Sequence, residues 1–261
     1  MNYKIIGLVV LVLCILLIFY LLNKSLMNGM EHFDNQEKIP KIIIQTWKTK
    51  DIPEKYKEDV DSVKKYNKDF EFLFFDDDDI ETFLKNNYPQ YYESYIKLPV
   101  KIQKIDYFRY IAIYHYGGFY FDLDMRCLYP LEDLLNYDCI FPVDHNLNDK
   151  KCNKVRFNNM CKNNMKVNLG QYAFGAKPKN EFIKLLIDNI HNNIDKYIED
   201  YEKDYEKDKN KFVYIYTTTG PDFVTNIYMN YPNKQMVHIL EYDEDQYFGK
   251  YAIHNHYGTW K

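Results

Sequence analysis

The chain has 261 residues, a formal net charge of -4, 46% hydrophobic and 18% aromatic residues, and only 9 glycines and 9 prolines. This excludes a disordered, collagen-like or low-complexity chain, which would lack the aromatic and branched residues that build a core. The near-neutral balance argues against nucleic acid as a partner, since duplex binding needs a basic face that neutralises phosphates, and the length suits one large domain or two small ones.

Ile5 to Leu22 is an unbroken apolar run between Lys4 and Asn23-Lys24. At about 1.5 Å per residue it reaches roughly 27 Å, the depth of a hydrocarbon core. No small-x-small cleavage pattern follows, so residues 1–22 read as an uncleaved N-terminal membrane anchor, a single transmembrane helix. Lys4 and the amino terminus are opposed by Lys24, which leaves the orientation open. Residues 23–38 read as a polar stem and residues 39–261 as the chemical domain. Cys127, Cys139, Cys152 and Cys161 lie beyond the anchor without C-x-x-C spacing, so buried thiols are the default. A Cys152 to Cys161 bridge is open to the chain in an oxidising lumen.

Ile39 to Trp47 (IPKIIIQTW) starts with a proline and continues as a β-rich apolar run, as a buried strand does. Phe70 to Phe75 (FEFLFF) is a second run, and the acidic Asp76 to Asp79 behind it suit a helix amino terminus. That helix is predicted over Ile80 to Asn86, stopping near Pro89. Lys101 to Tyr116 has the clearest helical period, with Ile102, Ile105, Phe108, Ala112 and Ile113 on one stripe and Gly117-Gly118 as its stop. Phe119 to Met125 (FYFDLDM), Asp138 to Val143 and Gln171 to Ala176 read as strands, Asp144 to Asn168 as a loop, and Glu181 to about Lys211 as a helix. Strands and helices alternate, so the class is α/β.

On a strand, Tyr120, Asp122 and Asp124 share one face, away from Phe119, Phe121 and Leu123. Their spacing of roughly 6.6 Å separates the two carboxylates, so one is expected to bind a metal while the other works through a water or a ligand hydroxyl. Hard oxygen ligands suit Mg²⁺ or Mn²⁺, whose shells substrate phosphates complete. Asp-x-Asp alone is a weak motif, but a carboxylate pair closing an aromatic strand is costly unless a cation binds there. Asp106 and Arg109, at i and i+3, share a face outside the apolar stripe. Solvent exposure, mutual pairing and a polar ligand all stay open for them. By themselves, Trp47 reads as a core aromatic, and His254 and His256 as surface histidines.

Ile39 to Trp47, the Asp106-x-x-Arg109-Tyr110 helix, Gly117-Gly118, Asp122-Leu123-Asp124, Thr219-Gly220-Pro221 and the terminal AIHNHYGTW together resemble the DXD-containing glycosyltransferases of family 32. That family includes fungal initiating α-1,6-mannosyltransferases and inositol-phosphorylceramide mannosyltransferase catalytic subunits. The resemblance implies a GT-A-like fold, a nucleotide-sugar-binding mixed sheet flanked by helices, and retaining transfer of a hexose, mannose leading. The donor would be a nucleotide-diphosphate sugar, the cofactor Mn²⁺ or Mg²⁺, and the acceptor a glycan or glycolipid hydroxyl. It implies catalytic roles for Asp106, Arg109, Asp122 and Asp124, and a donor site of Trp47, Asp106, Arg109, Asp122 and Trp260. Trp47 would stack on the base, Asp106 hold sugar hydroxyls, Arg109 contact sugar and diphosphate, and Asp122 hold ribose or sugar hydroxyls. Asp124 would be the direct metal ligand, with Asp122 and His254 beside it. With the anchor, this implies an endomembrane, Golgi-type protein whose domain is lumenal.

Three positions depart from the family: Ile44 where histidine is usual, Gln171 where asparagine is frequent, and Thr259-Trp260 in place of Ser-Trp. Ile44 and Gln171 motivate a second reading, a catalytically inactive, membrane-tethered carbohydrate-binding or structural protein. A metal-dependent diphosphate hydrolase is a third. The intact Asp106, Arg109, Asp122 and Asp124 set favours the transferase. No residue pattern identifies a partner subunit.

Overall fold

The computed structural model describes residues 39–205, 212–241 and 247–258, together with Tyr20. The anchor and stem expected over residues 1–38 lie outside the described residues, Tyr20 apart, as do Thr259 and Trp260. Among the described residues no helix is long and apolar enough to cross a membrane. Lys38–Lys261 forms one compact unit.

The first strand, β1 (Ile42–Thr46), pairs in parallel with β2 (Glu71–Phe75) on one side and β3 (Gly118–Phe121) on the other. Helix α1 (Glu54–Tyr66) links β1 to β2, and α2 (Asp77–Asn87), α3 (Pro89–Lys97) and α4 (Lys101–Tyr116) lead back to β3. Beyond β3 the sheet becomes antiparallel. Two short pairs stand apart from it: β4 (Met125–Cys127) with a C-terminal strand, and β6 (Val143–Asn146) with β7 (Val167–Leu169). In the main sheet, β8 (Ala173–Ala176) lies between β3 and β5 (Cys139–Phe141), and β9 (His238–Ile239) runs parallel to β5. The six strands thus run β2-β1-β3-β8-β5-β9, and β10 (Ala252–His254) is the partner of β4. Strand alternation splits the core into two layers. Ile44 and Tyr120 pack with the long helices, while Ile43, Phe119 and Phe121 pack with Met125, Cys127 and Phe248.

Helix α4 spans the residues its period predicts, but it is buried nearly all round, with Asp106 to Ile113 all inside. Its stop is steric. Gly117 and Gly118 have φ of 68° and 89°, and a Cβ on Gly118 would lie 2.4 Å from the Ile42 carbonyl oxygen. Only glycine lets β3 turn out of the helix and lie against β1.

Four predicted elements differ. Pro89 does not merely end a helix but opens α3, because its missing N–H falls where helix donors are unpaired anyway. FYFDLDM is not one strand: the Asp122 amide donates to the Tyr172 carbonyl at 2.7 Å and the Met125 amide to the Asp122 carbonyl at 3.1 Å, closing a turn between β3 and β4. The stretch 144–168 is no loop. It continues β6, forms α5 (Asp149–Cys152) and α6 (Val155–Lys162), and ends in β7, around a small core of Leu147, Phe157 and Met160 with a Cys152–Cys161 disulfide. The long helix breaks at Asn193 into α7 (Glu181–Asn192) and α8 (Ile194–Asp200). Residues 206–211 lie outside the described residues. Two further helices follow, α9 (Phe212–Thr218) and α10 (Pro221–Asn230).

Candidate active site

A cavity of about 620 Å³ opens beyond the carboxyl ends of the parallel strands β1 and β3, where α/β sheets commonly bind ligands. Trp47, Asp106, Arg109, Asp122, Asp124 and His254 all line it. The structure therefore brings together every candidate residue that it describes. Trp260 lies outside the described residues.

The turn at Asp122-Leu123-Asp124 corrects the strand geometry expected from the sequence. Instead of standing apart along one strand, the two carboxylates bend toward each other, and ligand atoms of Asp122, Asp124 and His254 lie within 4.8 Å of one another. His254 reaches them because β10 pairs antiparallel with β4, setting His254 opposite Met125. Its Nε2 is 3.4 Å from Asp124 Oδ1, while its Nδ1 is buried with no hydrogen-bond partner among the described residues. The other Asp124 oxygen accepts the Tyr257 amide at 3.0 Å. Burial raises the Asp124 carboxyl, but His254 and the Tyr257 amide outweigh it and hold it below the usual range. Two carboxylates and an imidazole with an unpartnered buried nitrogen fit a divalent ion. Carboxylate oxygens with one imidazole nitrogen form a donor set open to Mn²⁺ or Mg²⁺.

Behind this group sits an ion pair that the stripe argument left open. Asp106 and Arg109 are buried, 0% and 3% exposed, with Arg109 Nη2 3.3 Å from Asp106 and 3.4 Å from Asp122. Mutual pairing and a polar cavity both apply. Ile102 and Ile105, read as core, are half-buried and line the same cavity. Asp106 accepts from Thr219 Oγ1 at 2.8 Å and from Gln171 Nε2 at 3.0 Å. Arg109 donates to the Gln171 carbonyl at 2.9 Å and its guanidinium lies over the Tyr120 ring. Tyr110 donates to Gln171 Oε1 and to the Thr219 carbonyl. Gln171, read as a departure, is the hub of this network, and Thr219-Gly220-Pro221 supplies its back. Ile44, another of the departures, is wholly buried in the core.

Burial pushes the Asp106 carboxyl up to about 6, against Arg109 and its two side-chain donors. Desolvation opposes the Arg109 charge, but Asp122, Tyr120 and Asp106 outweigh it, so the guanidinium stays protonated. Burial raises Asp122 as well, partly offset by Arg109. Burial beside His254 pushes His256 down to about 4 and keeps it neutral. At the cavity rim Trp47 is half-buried and meets the Tyr56 ring at 5.0 Å, so an open face for stacking is combined with core contact.

Sequence reasoning missed a second polar wall. Asp144, His145, Arg156 and Tyr216 line the same cavity, on the stretch read as a loop and on α9. The basic residues of 144–168 were the available signal, but Asp222, which holds Arg156, lies 66 positions away.

Residues 53–141 match a family profile described as "Glycosyltransferase sugar-binding region containing DXD motif". This segment, about a third of the chain, is similar to the sugar-binding region of DXD-containing glycosyltransferases. It holds α1 through β5, with the Asp106–Arg109 pair and the Asp122–Asp124 turn. Inositol phosphoceramide mannosyltransferase 1 of Schizosaccharomyces pombe is 39% identical over 103 residues, 38% of this chain and 32% of that protein. A mannosyl phosphorylinositol ceramide synthase of Saccharomyces cerevisiae is 37% identical over 99 residues, 38% of this chain and 26% of that protein. The chain matches about a third of the length of the first of these curated relatives. A solved structure described as PaToxG glycosyltransferase superposes with a TM-score of 0.49 at 17% identity, over 83% of this chain and 82% of that one.

Proposed function

We propose that the chain is a membrane-anchored, metal-dependent glycosyltransferase. In this reading it moves a hexose, mannose by preference, from a nucleotide-diphosphate sugar to a hydroxyl of a glycan or glycolipid, with retention. One observation carries the reading: three metal-ligand side chains converge beside the buried Asp106–Arg109 pair in a single cavity. The relatives that act on inositol phosphoceramide support mannose and a glycolipid. The disulfide and the apolar run of residues 5–22 support an endomembrane lumen.

Asp124, His254 and Asp122 would hold the ion. A divalent cation bound there neutralises the charge that gathers on a departing diphosphate. The protein does the rest. Arg109, kept cationic by Asp106 and Asp122, adds fixed positive charge at the diphosphate without reorganising. Asp106 is fixed through Thr219 and Gln171, which aims its carboxylate for sugar hydroxyls. Trp47 offers its ring to the nucleotide base. Tyr120 and Leu123 exclude water beneath the turn, and Tyr120 donates to Asp122 at 2.9 Å, fixing its rotamer.

The test incubates the full-length protein in detergent with Mn²⁺ and a panel of nucleotide sugars, following nucleoside diphosphate release. Release from one donor, lost with EDTA, supports the reading. Silence across the panel, in folded protein that binds neither Mn²⁺ nor nucleotide, overturns it in favour of a tethered non-enzyme.

A further inference from the structure

The cavity wall built by α6, α9 and α10 holds an ion pair that the donor site does not use. Arg156, in the first turn of α6, has its guanidinium 4.7 Å from the Phe157 ring centre and 4.1 Å from that of Tyr216. Its Nε and Nη2 each donate to Asp222 at 2.7 Å, and Asn168 donates to the same carboxylate at 3.2 Å. Asp222 is 1% exposed and Arg156 20%. Apolar residues of similar volume hold a fold as well as a buried ion pair does, so stability alone gives no reason for a charge here. Both bonds to Asp222 occupy one edge of the guanidinium, and the Nη1 edge still carries donors for a ligand. Stacking between two rings strips water from the guanidinium and fixes its plane, the geometry in which arginine grips a phosphate. A second observation is independent of this pair. Besides Arg156, residues 144–168 carry five lysines against two acidic side chains, in a chain whose net charge is -4. His145 and Asp144, 3.6 Å apart on the same wall, offer partners for hydroxyls next to that charge.

We propose that Arg156, locked by Asp222 between Phe157 and Tyr216, binds a phosphate group on the acceptor. The proposal rests on the glycosyltransferase reading and makes the acceptor a phosphorylated polyol, with its phosphate on α6 and its hydroxyls turned toward the donor. The Arg109 side of the cavity takes the donor diphosphate, so the two anions have separate arginines.

The test measures binding by calorimetry to full-length protein in detergent, with Mn²⁺ and nucleoside diphosphate present. Glycerophosphoinositol, myo-inositol and inorganic phosphate are the probes. Wild type should bind glycerophosphoinositol at least tenfold more tightly than myo-inositol and more tightly than phosphate alone. The double substitution Arg156→Gln with Asp222→Asn, which leaves no buried carboxylate unpaired, should bring the ratio to myo-inositol near one. Arg156→Lys, which keeps the ion pair but not the fork, should lower it severalfold. An unchanged ratio in both variants overturns the proposal, as does a wild-type preference for free phosphate. Loss of nucleoside diphosphate affinity with the acceptor ratio intact also overturns it, by moving Arg156 to the donor. Failure of the glycosyltransferase reading registers separately, as wild-type protein that releases no nucleoside diphosphate from any nucleotide sugar.

Discussion

Asp124 is held on two sides, with the Tyr257 amide on one oxygen and His254 facing the other. Asp124→Asn keeps an acceptor for the amide but removes the charge that would bind a cation. Nucleoside diphosphate release should fall by about 100-fold or more with little change in the unfolding midpoint; near-normal turnover would sink the metal assignment. Asp106 makes a second prediction, through pH. Its carboxyl, pushed up to about 6, completes the pair with Arg109 only when ionised, so kcat/KM should rise with pH through about 6. Asp106→Asn should be far less active and lose that limb. Stability runs the opposite way. Between about pH 4 and 6 the folded chain binds a proton that the unfolded chain has released, so stability falls as pH rises through that window, by on the order of 3 kcal/mol. Urea unfolding at pH 4.5 and 7, compared with Asp106→Asn, reads this directly. The residues behind these predictions were legible because their spacing is local: Asp106 with Arg109, and Asp122 with Asp124. Gln171 and Arg156 were not, since the partners that give them meaning are 65 and 66 positions distant.

At the scale of elements, local signals succeeded and non-local ones failed for the same reason. Lys101 to Tyr116 was predicted to the residue, because a helical period and a Gly-Gly stop are both written in adjacent positions. Asp76 caps α2 with Asp79 in a reciprocal box, again a local signal. By contrast, the break between β3 and β4 depends on the Tyr172 carbonyl, half a hundred residues on, and no periodicity encodes it. The elements of 144–168 are too short, at three to eight residues, for a hydrophobic period to emerge. Gly118→Ala tests the close approach of α4's exit to β1. The positive φ and the 2.4 Å approach to Ile42 should destabilise the fold by at least 2 kcal/mol, lowering the unfolding midpoint by roughly 4 °C or more. A midpoint within 1 °C of wild type would refute the steric account. The Cys152–Cys161 bridge closes a short loop, so replacing both with serine should cost about 2 kcal/mol, measurable by denaturant unfolding with and without reductant.

For the whole molecule, the class was legible from alternation, whereas the strand order was not: β8 enters between β3 and β5 out of chain order, a pairing set by tertiary packing. Cation binding should be felt across this unit. Mn²⁺ at about 100 times its dissociation constant would stabilise the folded chain by about 2.7 kcal/mol, raising the midpoint by roughly 5–10 °C. EDTA should reverse the shift and Asp124→Asn should abolish it; a shift that survives in Asp124→Asn would place the ion elsewhere. The contact between Asp124 and Tyr257 joins positions 133 apart, and β10 brings His254 to the carboxylates from the far end of the sequence. A ribosome making this chain therefore releases the two aspartates long before their histidine, and the nascent protein can assemble its main sheet while its chemistry is still missing a ligand. Synthesis itself acts as a timer: the three side chains that converge at the cavity come together only after β10 has emerged and paired.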